Sequence, residues 1–256
     1  MPKISVCMIV KNEKLHLANA LNSIKELADE IIVLDTGSTD NSIQIAKDNG
    51  AQVYKMQWPD DFSIARNESI KLAIGDWILI LDADETISKQ DTNKLKEIIN
   101  KTKPGQEYEN VDGFVLTQRN YIKNKQDLEL KTDSNLTIKE AGQSNKGFVD
   151  LTMASDPYEE SKTSCGYLPT PIIRLFRNNK GIKFKGAVHE DVSQSITKKI
   201  HPINISIHHF GKLDINTWKS KWKLYEKLAI KKANQEKDYY SYFELGRQFL
   251  ASKKLE

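Results

Sequence analysis

Five groups of residues carry side chains able to do chemistry. Asp82-Ala83-Asp84 follows the apolar run Trp77-Ile78-Leu79-Ile80-Leu81, so both carboxylates can face one crevice. Oxygen ligands of that kind suit a hard divalent cation, with diphosphate oxygens completing its shell. Taken alone the triplet is weak, because an acidic turn after a strand is commonplace. Asp35 closes the earlier run Glu30-Ile31-Ile32-Val33-Leu34 and opens the turn Thr36-Gly37-Ser38-Thr39-Asp40. A carboxylate there can accept hydrogen bonds from a base or ribose, or it can merely shape the turn and cap the next helix.

Arg66, in Phe62-Ser63-Ile64-Ala65-Arg66-Asn67, stands near a helix start, whereas a cation that complements the helix dipole belongs at the other end. A phosphate or base partner would explain it; a plain surface arginine is the other reading. His189-Glu190-Asp191 ends a segment containing Phe184, Gly186 and Val188, and Glu190 could there deprotonate an acceptor nucleophile, with Asp191 as the alternative. His208 and His209 follow the alternating stretch Ile203 to Ile207, so one of the pair points inward, either as a metal ligand or as a satisfied core residue.

These groups need a scaffold that brings strand ends together. The first hundred residues supply one by alternating strand and helix: a strand to Val10, a helix from Lys14 to Leu27, a strand to Asp35, a helix from about Asn41 to Asn49, and a strand from Gln52 to Met56. A helix around Ile64 to Ile74 and the strand ending at Asp82 follow. The pattern implies an α/β fold whose open, mainly parallel sheet is flanked by helices, with ligands bound at the carboxyl ends of the strands. Residues 101–167 turn polar, with only Gly113 to Leu116 strand-like, and read as a mobile insert over the site. Ile172 to Arg177, Lys183 to Glu190 and Ile203 to Phe210 read as strands returning to the sheet. The expected division is a nucleotide-binding domain over 1–212 and a helical extension over 213–256.

In that extension Trp218, Trp222, Tyr225 and Leu228 share one helical face. Tyr242, Leu245, Gly246 and Phe249 match the first helix of a tetratricopeptide repeat, whose partner helix does not appear before Glu256. The expectation is a piece cut from a longer protein, with the C-terminal region as a candidate homodimer surface.

Composition narrows the partners. Among 256 residues, 38 Lys and Arg oppose 35 Asp and Glu, a net charge of +3, so nothing suggests nucleic acid. The apolar start Ile4 to Val10 is too short for a membrane span and lacks a signal cleavage site. Cys7 and Cys165 form neither a zinc pair nor a disulfide framework, which fits a reducing cytoplasm.

In this order, Val6-Cys7-Met8-Ile9-Val10-Lys11-Asn12-Glu13, Asp35 to Asp40, Phe62-Ser63-x-Ala65-Arg66-Asn67 and Leu81-Asp82-Ala83-Asp84 resemble family 2 glycosyltransferases of the GT-A fold. Arg174-Leu175-Phe176-Arg177, Phe184-x-Gly186-x-Val188-His189-Glu190 and His209-x-Gly211 are similar to one branch in particular. It holds bacterial peptide S-glycosyltransferases of glycocin biosynthesis and flagellin-modifying enzymes, often with tetratricopeptide repeats appended. The resemblance implies that Val10, Glu13 and Asp35 contact the uridine of a UDP-sugar donor, with help from Arg66. Asp82 and Asp84 would handle ribose, diphosphate and metal, and His209 would be the remaining ligand of a Mn²⁺ or Mg²⁺ ion. It further implies inversion by direct displacement, with Glu190 as base and a Ser, Thr or Cys side chain of a protein or peptide as acceptor. A cell-surface glycan or lipid acceptor, or a degenerate nucleotide-binding docking module, are the alternatives.

Overall fold

A computed structural model describes residues 1–124, 149–151, 156, 158–178, 180–213 and 215–252. The chain falls into two compact units. The first comprises residues 1–117, 171–185 and 190–208; the second comprises 118–170, 186–189 and 209–256.

The strands and helices of the first hundred residues follow the expected alternation: β1 (Ile4–Val10), α1 (Leu17–Ile24), β2 (Glu30–Asp35), α2 (Ser42–Asp48), β3 (Gln52–Lys55), α3 (Phe62–Lys71) and β4 (Trp77–Ile80). The short β5 (Glu85–Ile87) and α4 (Lys89–Asn100) complete this part. Further on come β6 (Val111–Ile122), β7 (Val149–Asp150), β8 (Gly166–Arg177), β9 (Lys199–His209), α5 (Ile215–Glu236) and α6 (Tyr239–Ser252). Nine strands join one sheet in the order β3-β2-β1-β4-β8-β6-β9-β5, with β7 beside β8.

The half of the sheet made by β3, β2, β1 and β4 is parallel, and β8 adds to β4 antiparallel. Covered on both faces, its strands read as near-continuous apolar runs, and the period of two sorts their side chains. Val6, Met8, Val33, Trp77 and Leu79 join the core that α1 and α4 complete with Leu17, Leu21 and Leu95. Cys7, Ile32, Ile78 and Ile80 join the opposite core, with Phe176, Phe184 and Val192. Each such fully buried large side chain contributes about 1.5–3 kcal/mol, so the parallel half is a stiff platform for whatever sits at its edge. Cys7 shows how dry it is. Burial first, then the charge of Glu30, push its thiol up to about 12 against the opposing pull of Arg66, and Sγ–H donates to the Ser69 carbonyl. At Gly75 the chain passes so close that a Cβ would lie 2.9 Å from the Ser5 backbone nitrogen.

Two expectations need correction. The polar stretch 101–167 was expected to hold a strand only over 113–116, yet β6 runs twelve residues from Val111 to Ile122. Its polar second half, Thr117 to Asn120, hides the apolar pattern because Asn120 is buried through hydrogen bonds and not through apolar contact. Residues 125–148, the centre of the expected mobile insert, lie outside the described residues. The second correction concerns Lys183 to Glu190, which is no strand: it forms a loop closed by an isolated bridge between Lys185 and Asp191. Gly186 at φ 109° and His189 at φ 55° take the chain out of the extended region, which no ladder tolerates.

Candidate active site

The carboxyl ends of β1 and β2 are knitted into one rim. Val10 and Asp35 are register partners, and Thr36 N donates to the Val10 carbonyl at 2.9 Å. Asn12 turns left-handed at φ 58°, a conformation asparagine tolerates better than most residues. Its Oδ1 accepts from Thr39 N at 2.7 Å, while its own N–H donates to Ser38 Oγ at 2.9 Å. Glu13 N donates to Ser42 Oγ at 2.8 Å. Asp35 is buried, and its Oδ2 accepts from the backbone of Gly37 and Ser38, both at 3.1 Å. The turn-shaping role of Asp35 is therefore real.

Beside this rim, β4 delivers the acidic turn. Glu85 N donates back to the Asp82 carbonyl, and Glu85 Oε2 accepts from Asp82 N at 2.9 Å, so Asp82 to Glu85 closes on itself. Helix α3 delivers Arg66. Its N-cap Asp61 accepts from Ile64 N at 3.1 Å, and Asn67 ties the helix to Phe184 through two hydrogen bonds with the Phe184 backbone. The antiparallel register of Leu79 with Leu175 carries Arg174 of β8 to the end of β4.

These elements converge on Asp82. Arg66 Nη2 donates to its Oδ1, and Arg174 Nη2 donates to its Oδ2 at 3.0 Å. Arg66 Nε also donates to Glu190 Oε1 at 3.1 Å, and Arg174 lies 3.7 Å from Glu85 Oε1. Burial alone would raise the Asp82 carboxyl, but the Arg174 and Arg66 charges outweigh it. Although Asp84 pulls the other way, Asp82 comes down to about 2. Both guanidiniums are held more firmly protonated than usual; burial opposes this, and the Asp82 charge overrides it in each case.

Two buried donors, Arg66 Nη1 and Arg174 Nε, have no acceptor among the described residues. Each such group costs about 1–3 kcal/mol, so their survival points to a ligand oxygen that completes them. Three carboxylates, of Asp82, Glu85 and Glu190, pair with the two guanidiniums, and Asp84 adds its negative charge beside Asp82. Among the described residues no three His, Cys, Asp or Glu side chains gather into a metal cage.

The first unit thus brings together Arg66, Asp82 and Glu190, with Asp84 close enough to act on the Asp82 charge; Val10, Glu13 and Asp35 line the neighbouring strand ends. Arg66, for which a phosphate or base partner or a plain surface position was expected, is buried and pairs with two carboxylates, Asp82 and Glu190. Of the histidine pair, His208 is the fully buried one. His209 belongs to the second unit, where its Nδ1 lies 2.8 Å from Asn120 Oδ1. Sequence reasoning missed Arg174 and Glu85 as site residues. The available signal was a charge inside the apolar run Ile172 to Phe176, since arginine is rarely buried without a partner.

A family model described as glycosyl transferase family 2 matches residues 5–156. Glycosyltransferase SunS of Bacillus phage SPbeta is 30% identical over 215 residues, 82% of this chain and 40% of SunS. A TPR repeat-containing protein of Synechococcus elongatus is 48% identical over 96 residues, covering 38% of this chain and 24% of its own. The chain therefore spans between about a quarter and two fifths of the length of these curated relatives. Among solved structures, a mycobacterial protein shares the fold at a TM-score of 0.51 and 16% identity, over 89% of this chain and 73% of that one. Among the described residues no helix is long and apolar enough to cross a membrane.

Proposed function

The chain belongs to glycosyl transferase family 2, and from that membership we propose an inverting, metal-dependent transfer of a sugar, GlcNAc or glucose, from a UDP-sugar to a Ser, Thr or Cys side chain of a protein or peptide. The observation that carries the reading is the pair of buried arginines, Arg66 and Arg174, holding the half-buried Asp82 carboxylate just beyond the end of β4, with Glu190 on the flank. SunS carries the glycosyltransferase name across most of this chain, which supports the activity class. The peptide acceptor rests on the motif resemblance.

In this reading Val10, Glu13 and Asp35 seat the nucleoside against the rim of β1 and β2, and Asp82 and Asp84 meet the ribose and diphosphate. Arg66 and Arg174 offer their unused N–H groups to donor oxygens. Asp84 would hold a Mn²⁺ or Mg²⁺ ion, which supplies charge neutralisation for the departing diphosphate. His209, the other ligand the resemblance implies, belongs to the second unit. Glu190 takes the proton from the acceptor hydroxyl or thiol. The acceptor atom then bonds to the anomeric carbon as the bond from that carbon to the diphosphate oxygen breaks, and UDP leaves.

The test is nucleotide release from a panel of UDP-, GDP- and dTDP-sugars, with Mn²⁺ or with EDTA. UDP release from one sugar, abolished by EDTA and restored by Mn²⁺, is the expected result. Silence across the panel, with no UDP binding by calorimetry, would make the domain a docking module.

A further inference from the structure

We infer that Arg174 is a positioning residue for the transfer: from β8 it grips one oxygen of Asp82 while Arg66, from α3, grips the other, so the carboxylate is fixed in the one orientation the donor needs. The inference rests on the transferase reading.

The neighbouring arginine on the same strand shows what a structural role looks like here. Arg177 spends its guanidinium mainly on main-chain carbonyls: Nε donates to Val111, and Nη2 donates to Thr102 and Glu109 at 3.0 and 2.9 Å, with the Asp112 carboxylate 3.4 Å from Nε. Its plane lies 4.8 Å over Trp77. Arg174 makes none of these bonds. Among the described residues its polar contacts are two carboxylates, Asp82 and Glu85, and its buried Nε–H has no acceptor. Replacing a whole buried ion pair by apolar side chains of similar volume is often neutral or stabilising, so stability alone does not require the Arg174–Asp82 pair. Asp82 in turn receives two guanidiniums where one would neutralise it. The second adds orientation: one N–H on each oxygen stops the carboxylate from turning about its last torsion.

A double-mutant cycle tests the assignment, with D82N, R174K, the double variant and the wild type compared by metal-dependent UDP release per folded molecule. Lysine keeps the charge and loses the planar fork. The expected result is a fall of about a hundredfold in kcat for R174K, the scale attached to a misplacement of about 1 Å. In the D82N background the same change should cost less than about threefold, because the group it positions is gone. An R174K enzyme as fast as wild type, or one that loses only thermal stability, overturns the proposal, and so do losses that multiply independently across the cycle. If R174K does not fold, R174Q and D82N/R174Q replace it, and failure of every Arg174 variant to fold makes the residue structural. A wild type that neither turns over donor nor binds UDP sinks the transferase reading itself, an outcome distinct from an active wild type with an uncoupled cycle.

Discussion

Arg66 and Glu190 are 124 residues apart in the chain and meet with Nε 3.1 Å from Oε1. The same guanidinium reaches Asp82 through Nη2, so one buried arginine links the residue proposed as base with the residue proposed to meet the donor. Arg66 thus ties helix α3 to the acidic turn and to Glu190 by charge, while the Asn67 hydrogen bonds tie the same helix to Phe184.

Glu190→Gln keeps an oxygen for Arg66 and removes the base. Its kcat for transfer to an acceptor peptide should fall by about 10² to 10⁴, with the donor KM changed no more than a few-fold. Steady-state kinetics at saturating acceptor separate the two. A large rise in KM with kcat intact would assign Glu190 to donor binding.

Asp82 makes stability depend on acid. Its pKa is lowered on folding to about 2, so its contribution is complete above the unfolded value near 4 and fades as pH falls towards 2. The contribution is on the order of 2 kcal/mol. Urea unfolding of wild type and Asp82→Asn at pH 7 and at pH 2.5 should show the difference between the two proteins shrinking at the lower pH. A constant difference would show that the arginine pairing does not set the carboxyl.

Arg177→Met removes three bonds to main-chain carbonyls, the ion pair with buried Asp112 and the stacking on Trp77. Stability should fall by roughly 2 to 4 kcal/mol in urea titration, with turnover per folded molecule unchanged. The contrast with Arg174 lies in that second number.

Asn12 combines a left-handed backbone with a side chain that holds Thr39. Asn12→Ala loses both features and should lower stability by about 2 kcal/mol and weaken UDP binding. Asn12→Gly regains the backbone freedom and should recover about half of the stability. Thermal melting and calorimetry read the two effects separately.

Sequence legibility followed burial. Strands β1, β2 and β4 are covered on both faces, so their apolar runs could be read directly, and Asp35 and Asp82 stood out by ending them. Arg66 was legible because its sign is wrong for a helix start. The second half of β6 was not, since Asn120 is buried by pairing with the Leu168 carbonyl and the Thr170 hydroxyl, partners 48 and 50 residues away. Nor was the loop before Glu190, where Phe184, Gly186 and Val188 mimic strand alternation while the backbone turns left-handed at Gly186 and His189. The role of Arg174 depends on a register, β4 against β8, that no local pattern announces.

The chemistry of Cys7 has a practical side. A thiol sealed between β1 and α3, with its ionisation pushed to about 12, gives a maleimide no thiolate to attack near neutral pH. The chain's other thiol, Cys165, is partly open, and its backbone is fixed by bonds to Ile122 and Leu151. Within these 256 residues a thiol-directed fluorophore or spin label therefore has one partly open target, in the second unit, without any cysteine having to be removed.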